Sequence, residues 1–253
     1  MIDSHCHLDV AAFDRDREDV LARAAALTGI LVPAIRPSTW AALRTITHPL
    51  VRIALGVHPQ VVPQLTADEA ITAESLAEAA TAAGAVAIGE TGLDGGTGER
   101  ERQEELLRLH VRAARLASMP LVVHVLRAHD AAPRILREER AHEVGGVMHS
   151  YSGGAELVPI YRELGFAFSF AGPVTYPNAR RPLEAVRAIP DELLLVETDA
   201  PDQAPASHRG QRSEPAFLPE IIAAIATARG DDVARIAALT TANARRVFRA
   251  WTK

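Results

Sequence analysis

Short apolar runs alternate with amphipathic segments along the whole chain. The apolar runs are continuous rather than alternating, which is typical of strands buried on both faces of a parallel sheet. They predict strands at 1–7, 29–35, 51–57, 85–90, 119–124, 145–149, 166–171 and 193–198. The segments between them have helical spacing, and they predict helices at 13–28, 38–47, 68–83, 98–118, 128–141, 154–164, 178–188 and 215–229, with one more at 231–250.

This alternation predicts an α/β fold of the TIM-like (β/α)8 barrel type, with an additional C-terminal helix, as a single domain spanning 1–253. An open doubly wound sheet is the alternative, but that fold usually carries a glycine-rich first loop. Here the first loop carries His5 and His7 instead. The stretches 91–99 and 199–215 lack clear periodicity, so we expect long loops at the mouth of the barrel.

The composition narrows the class of protein. Hydrophobic residues make up 48% of the chain, which is enough for a sizeable core, and no apolar run approaches the roughly 18 residues of a membrane helix. The N-terminus has no charged region ahead of an apolar one, so we expect no secretory signal. The single Cys6 cannot form an intramolecular disulfide, which favours the cytoplasm. A net charge of −5 argues against a protein that grips duplex nucleic acid by charge alone.

Six candidate metal ligands lie at or near the ends of different apolar runs. The C-terminal ends of barrel strands meet at one mouth, where barrel enzymes build their active sites. Imidazoles and carboxylates gathered there predict a metal site with enough ligands for two divalent ions. The six residues are His5, His7, Glu90, His124, His149 and Asp199.

The histidines and Glu90 also have structural interpretations, since His124 and His149 could each be a core residue instead of a ligand. His5 and His7 are spaced to share one face of a strand, as metal ligands or as a hydrogen-bonded core pair. Glu90 could bridge two metals through its two oxygens, or it could cap a helix or pair with an arginine. Glu197 and Asp199 share a face, and Asp199 is nearer the mouth, so we predict Asp199 as a ligand and proton acceptor.

Four further residues near the mouth are candidates for substrate binding. His58 follows the third predicted strand, and Arg127 and His129 follow the fifth closely enough to hold an anionic group. Tyr151 could stack on a base or simply cover the mouth. Alternatively, His58 has only a structural role in its loop, and Arg127 and His129 belong to a helix N-terminus.

Several short motifs stand in order across nearly the whole chain. They are Asp3-Ser4-His5-Cys6-His7-Leu8-Asp9, Gly56-Val57-His58-Pro59, Ile88-Gly89-Glu90-Thr91-Gly92-Leu93-Asp94, Val123-His124, His149-Ser150-Tyr151-Ser152-Gly153 and Glu197-Thr198-Asp199-Ala200-Pro201. Together they resemble the TatD family of metal-dependent deoxyribonucleases. The run His124-Val125-Leu126-Arg127-Ala128-His129-Asp130, with Thr175-Tyr176-Pro177, is most similar to the YjjV-type branch of that family.

The resemblance implies a hydrolase that cleaves phosphodiester bonds at 3′ ends of DNA with a water activated by two metals. One ion would be held by His5, His7 and Asp199, the other by His124 and His149, with Glu90 as the bridge. The expected cofactors are two divalent ions, Mg²⁺ or Mn²⁺ in function and Zn²⁺ as a further option. The expected substrates are DNA ends or short single strands, with no membrane partner, and we expect a monomer.

Two rival functions stay open. The first is an amidohydrolase-type enzyme acting on a lactone, amide or phosphotriester, because such enzymes share the His-x-His pattern. Many of them bridge their metals with a carbamylated lysine, and the only lysine of this chain is Lys253. The second rival is a barrel that has lost turnover and serves as a binding protein.

Overall fold

The barrel is built from consecutive parallel strands. A computed structural model describes residues 1–251. Within them, eight strands form one sheet in sequential order: β1 (Ile2–Asp3), β2 (Gly29–Pro33), β3 (Val51–Leu55), β4 (Ala87–Asp94), β5 (Leu121–Leu126), β6 (Gly146–Met148), β7 (Phe166–Phe170) and β8 (Leu194–Val196). The backbone N–H of Ser4 donates to the carbonyl of Val196 at 3.1 Å, which brings the first and last strands together. The predicted TIM-like barrel is confirmed.

The helices alternate with the strands, and each lies inside a segment that the sequence predicts as helical. Over residues 1–251 they are α1 (Arg17–Arg23), α2 (Trp40–Leu43), α3 (Ala73–Ala82), α4 (Arg100–Ala117), α5 (Ala132–Glu138), α6 (Val158–Glu163), α7 (Arg180–Ala188), α8 (Leu218–Arg229) and α9 (Val233–Phe248). The last of them, α9, is the predicted additional C-terminal helix. Among the described residues, no helix combines the length and apolarity needed to cross a membrane.

The interior of the barrel is apolar in its lower part. One buried side chain from each strand contributes to a cluster there: Ile2, Leu31, Ala54, Ala87, Val122, Val147, Ala167 and Leu195. Phe248 and Trp251 pack against the same cluster and belong to the C-terminal end of the chain. Because this layer is filled with hydrocarbon, the polar side chains that gather inside the barrel lie above it, toward the carboxyl ends of the strands.

Strand β4 is longer than the sequence predicts. The prediction ended this strand at residue 90 and placed a loop at 91–99, but pairing with β5 continues through Thr91, Gly92, Leu93 and Asp94. The register shifts between Ile88 and Thr91, so the strand bulges and resumes. Gly92 makes this possible, because a Cβ there would lie 1.8 Å from the carbonyl oxygen of His124. The prediction that Glu90 closes its strand is therefore wrong, since Glu90 lies in the middle of β4.

The long segment after β8 is fixed against the first helix. Among the described residues it has only a short 3-10 turn at Ala206–His208 before the next turn at Pro215–Phe217. Glu214 accepts two hydrogen bonds from the guanidinium of Arg23 at 2.8 Å, and Arg212 pairs with both Asp16 and Glu214. The predicted loop at 199–215 is thus an ordered wall of the mouth.

A buried histidine on α4 holds the loop that follows β3. His110 accepts a hydrogen bond at Nε2 from the backbone N–H of Val57 at 3.0 Å. Its Nδ1 lies 2.7 Å from the carbonyl oxygen of Leu106, so Nδ1 carries the proton and the ring is neutral. Burial lowers the pKa of His110 to about 4. A neutral ring is needed here because Nε2 must accept.

This geometry predicts acid sensitivity of the fold. In the unfolded chain His110 binds a proton below pH about 6.5, whereas the folded chain resists protonation down to about pH 4. The free energy of unfolding should therefore fall as pH drops through this window, by about 3 kcal/mol for this residue. His110→Gln keeps a neutral donor and acceptor but cannot titrate. Urea unfolding at several pH values should show a shallower acid slope in the variant, and identical slopes would contradict the assignment.

Candidate metal centre

The site is organised around one buried carboxylate. Glu90 has no exposed side-chain surface, and imidazole nitrogens approach both of its oxygens. Around Oε1 lie His58 Nε2 at 2.9 Å, His124 Nδ1 at 3.1 Å and His149 Nε2 at 2.8 Å. Around Oε2 lie His5 Nε2 at 2.9 Å and His7 Nε2 at 3.4 Å. Glu90 therefore joins two groups of imidazoles, one at each oxygen.

Different strands deliver these side chains to one place. His5 and His7 follow β1, His149 follows β6, and His124 lies near the end of β5. Glu90 comes from the bulge in β4. The structure thus brings together all six predicted ligands, since Asp199 Oδ1 also lies 3.7 Å from the Nε2 atoms of both His5 and His7.

The charge of Glu90 dominates the electrostatics of the cluster. Burial alone would raise its pKa, but His149, His58 and His5 hold the pKa of Glu90 well below its ordinary range. Burial lowers the pKa of His5 to about 3. In His7, burial is outweighed by Glu90 and Asp199, which raise the pKa to about 9. Glu90 thus stays ionised and attracts positive charge to its surroundings.

The donors fit a metal better than they fit one another. The Nε2 atoms of His5 and His7 are 3.1 Å apart, and so are His124 Nδ1 and His149 Nε2. Without a metal, one nitrogen of each pair must carry a proton and donate it in a hydrogen bond to the lone pair of the other. Glu90 Oε2 is buried and accepts no hydrogen bond from residues 1–251, although His5 Nε2 is 2.9 Å away. Lone pairs converging on one point are the arrangement that a divalent cation satisfies.

Three overlapping sets of residues within 1–251 could hold ions, and the donor atoms of each set lie within 4.8 Å of one another. They are His5, His7 and Glu90; His58, Glu90 and His124; and His5, His149 and Glu197. Glu90 belongs to the first two sets. His58, predicted to face substrate, is therefore also within reach of the ion at Oε1, where His149 lies as well.

Carboxylates outside the cluster face the far nitrogens of two histidines. Glu197 Oε1 lies 3.4 Å from His149 Nδ1 and accepts a hydrogen bond from the backbone N–H of Ser150. Asp94 Oδ2 lies 3.6 Å from His124 Nε2 and accepts a hydrogen bond from Gln60 at 2.7 Å. Such carboxylates fix the ring orientation of a ligating histidine and increase its basicity.

Asp199 has one oxygen toward the histidines and one held by an amide. Burial raises the pKa of Asp199 to about 6, opposed by the nearby His149 and His7. Its Oδ2 accepts a hydrogen bond from Gln203 Nε2, and Gln203 also exchanges hydrogen bonds with the hydroxyl of Ser150. This contact leaves Oδ1 as the oxygen that faces His5 and His7. Sequence reasoning did not single out Gln203, because a glutamine in an irregular loop gives no pattern.

Asp3 was also missed as a site residue. It is fully buried, and it accepts hydrogen bonds from the backbone N–H of Thr198 at 2.9 Å and from the Thr198 hydroxyl at 2.6 Å. Burial raises the pKa of Asp3 to about 8. These contacts tie the segment that carries His5 to the segment that carries Asp199. A carboxylate inside the first apolar run was the available signal.

The predicted substrate-binding residues differ in their positions. Arg127 is exposed on the turn that follows β5. The hydroxyl of Ser152 donates to the carbonyl of Val125 at 2.7 Å, so His129 Nε2, 3.1 Å away, must donate to that hydroxyl. His129 Nδ1 then accepts from the hydroxyl of Tyr161 at 2.8 Å. Both ring nitrogens of His129 are therefore engaged in hydrogen bonds within the protein. Direct substrate contact by His129 stays a prediction without geometric support.

Two cavities meet at the cluster. The first, which we call the polar lobe, has a volume of about 540 Å³ and is lined by His7, His58, Gln60, Val61, Asp199 and Asp202 among others. The second, the apolar lobe, has a volume of about 390 Å³ and is lined chiefly by Tyr151, Phe170, Ala171, Pro173, Val174 and Pro182. The two lobes share a rim formed by His124, Leu126, His149 and Gln203.

Comparisons with known proteins agree on one family. The family described as TatD related DNase matches residues 2–249. The uncharacterized metal-dependent hydrolase YabD of Bacillus subtilis is 34% identical over 98% of this chain and 99% of its own. YcfH of Escherichia coli, named in the same way, is 36% identical over 98% of this chain and 95% of its own. The crystal structure of YjjV, a TatD homologue of Escherichia coli, has a TM-score of 0.90 at 30% identity and covers 99% of this chain and 98% of its own.

The outer carboxylates lead to a prediction about metal affinity. Glu197→Gln and Asp94→Asn keep the side-chain size but remove the charge behind His149 and His124. Each should weaken binding of the ion near Glu90 Oε1 by ~10- to 100-fold, measured by calorimetric titration of Zn²⁺ or Mn²⁺. Asp202→Asn is the matched control, because Asp202 lines the polar lobe without an ion pair to a histidine in residues 1–251. Equal affinities in all three variants would refute the role of the outer carboxylates.

Proposed function

Because the chain belongs to the TatD-related DNase family of metal-dependent hydrolases, we propose that it hydrolyses phosphodiester bonds at a centre of two divalent metal ions. The observation that carries the proposal is the position of Glu90 between two groups of imidazoles. Its Oε2 faces His5 and His7, and its Oε1 faces His124 and His149. A carboxylate placed in this way can bridge two ions.

Each residue then has a definite task. His5, His7 and Asp199 would hold one ion, His124 and His149 the other, and Glu90 both. When bound, two such ions lower the pKa of a water and neutralise charge on a phosphoryl oxygen. Asp199 would also accept the water's proton, since its Oδ1 faces the site while Gln203 holds its Oδ2. Mg²⁺ or Mn²⁺ suits the carboxylates, and Zn²⁺ suits the imidazoles equally well.

The surroundings of the centre favour ends or short single strands of DNA as substrates. The two lobes are small, and the side chains that line them include no arginine or lysine in residues 1–251. A long duplex binds through many phosphate contacts with basic side chains. With a net charge of −5, the chain offers few such contacts away from the metals. We retain the expectation of a cytoplasmic monomer that cleaves from 3′ ends.

The rival amidohydrolase-type activity on a lactone, amide or phosphotriester is less well supported. Its metals are commonly bridged by a carbamylated lysine, whereas we propose Glu90 for the bridging role here. The only lysine of the sequence is Lys253, the terminal residue. A non-catalytic binding role is disfavoured because all six predicted ligands lie in one cluster.

Metal removal tests the proposed function directly. After chelation, the protein should lose all activity on a 3′-labelled single-stranded oligonucleotide, and Mg²⁺ or Mn²⁺ should restore it. Labelled single nucleotides should appear before internal fragments. The proposal would be abandoned if chelated and metal-loaded protein degraded the oligonucleotide equally well. The end preference would be wrong if closed circular DNA were cut as fast as the oligonucleotide.

Substitutions separate metal binding from proton transfer. Glu90→Gln should lower occupancy at both ion positions, and His124→Ala should deplete one ion selectively. Asp199→Asn keeps the volume and one coordinating oxygen but removes the proton acceptor, so turnover should fall ~10²- to 10⁴-fold with little change in substrate binding. Elemental analysis gives the metal content, and single-turnover rates give the chemistry.

The control for these variants is His142→Ala, which removes an exposed histidine outside the cluster. It should keep both ions and full turnover. Wild-type turnover in Asp199→Asn, or two ions retained in His124→Ala, would contradict the assignment.

A further inference from the structure

The apolar lobe beside the metal centre has no role in the chemistry described so far. His124 and His149 lie on its rim and also approach Glu90 Oε1 at 3.1 and 2.8 Å. A group bound in this lobe would therefore be attached to the reacting phosphate or adjacent to it. The volume of about 390 Å³ falls within the range of small-molecule sites, roughly 300–1,000 Å³.

The wall of the apolar lobe is hydrocarbon and aromatic surface. Phe170 and Tyr151 are 1% and 4% exposed, so their rings are held in place by packing and present a fixed surface. Tyr151 packs edge to face against Phe168, with ring centroids 4.9 Å apart. Its hydroxyl donates to the carbonyl of Gly154 at 2.9 Å and is not available to a ligand as a donor. Rings fixed in this way suit an aromatic partner.

The polar groups at the edge of the apolar lobe are already satisfied by the protein. The Ser152 hydroxyl donates a hydrogen bond to the carbonyl of Val125 and accepts one from His129 Nε2. Ser150 and Gln203 exchange hydrogen bonds with each other at 2.9 and 2.7 Å. Away from the rim histidines, a charged occupant would find no counterion, because the lining includes no arginine, lysine, aspartate or glutamate from residues 1–251.

Resting on the proposed phosphodiesterase function, we propose that the apolar lobe is a substrate subsite for one uncharged aromatic group linked to the phosphate directly or through its sugar. A nucleobase at a strand end and a simple aryl ester share this chemistry. The polar lobe, lined by His58, Gln60 and Asp202, would receive the hydrophilic remainder of the substrate. The subsite would then select for an aromatic substituent rather than for chain length.

Matched phosphate esters test the subsite by binding alone. Calorimetric titrations of the metal-loaded protein would compare dAMP with 2-deoxyribose 5-phosphate, and phenyl phosphate with methyl phosphate. Within each pair the phosphate is the same and only the aromatic group differs. We expect the aromatic member to bind at least about tenfold more tightly in one or both pairs. A gain confined to dAMP identifies a base site, and a gain in both pairs identifies a general aromatic site. Equal affinities within both pairs would overturn the proposal.

Two variants locate the effect. Val174→Phe fills the apolar lobe, and Val61→Phe makes the same change in the polar lobe. Val174→Phe should remove the aromatic preference and leave the affinity for methyl phosphate unchanged, whereas Val61→Phe should keep the preference. If Val174→Phe does not fold, Pro182→Trp serves the same purpose, because Pro182 is a half-buried residue that lines the apolar lobe. A preference that survives filling of the lobe would place the aromatic group elsewhere and refute the subsite.

Hydrolysis of bis(p-nitrophenyl) phosphate by the wild-type protein is measured separately. Aromatic preference without hydrolysis would refute the phosphodiesterase function and leave the subsite standing. Hydrolysis without aromatic preference would refute the subsite alone.

Discussion

Burying an ionised carboxylate costs several kcal/mol unless positive charge compensates for it, and this site depends on how Glu90 meets that requirement. The side chain has no contact with solvent and no arginine or lysine partner among residues 1–251. Its neighbours are five imidazoles, which can supply positive charge only by taking up protons or by binding cations. The surroundings of Glu90 therefore favour a metal centre.

The barrel makes this arrangement possible by separating apolar from polar layers. Apolar side chains, one from each strand, fill the lower interior, so the donors gather at the carboxyl ends of the strands. Glu90 is the exception, because it comes from the middle of β4, at the bulge, and not from the carboxyl end of a strand. Outside the cluster, Glu197, Asp94 and Asp3 hold the histidines and the ends of β1 and β8 in place. Metal binding would thus be built on a second layer of carboxylates.

The sequence predicts the barrel well because each strand and helix can be recognised from the hydrophobic pattern of its own segment. Continuous apolar runs mark buried strands, and each reactive residue follows or interrupts such a run. The same logic placed His5, His7, His124, His149 and Asp199 at one mouth, and the structure brings them together. It failed at residues 91–94, where Gly92 looks like a strand breaker yet permits a bulge that continues pairing with β5. It also could not foresee that His129 would be committed to Tyr161 and Ser152, or that Gln203 would hold Asp199. Those contacts depend on tertiary neighbours far apart in the chain.

The central claim is that Glu90 bridges two metal ions, and anomalous diffraction from crystals soaked in Mn²⁺ or Zn²⁺ tests it most directly. We predict two anomalous peaks, one on each side of the Glu90 carboxylate. One should lie at ligand distance, ~2 Å, from His5 and His7, and the other from His124 and His149. A single peak, or two peaks of which neither contacts Glu90, would contradict the account.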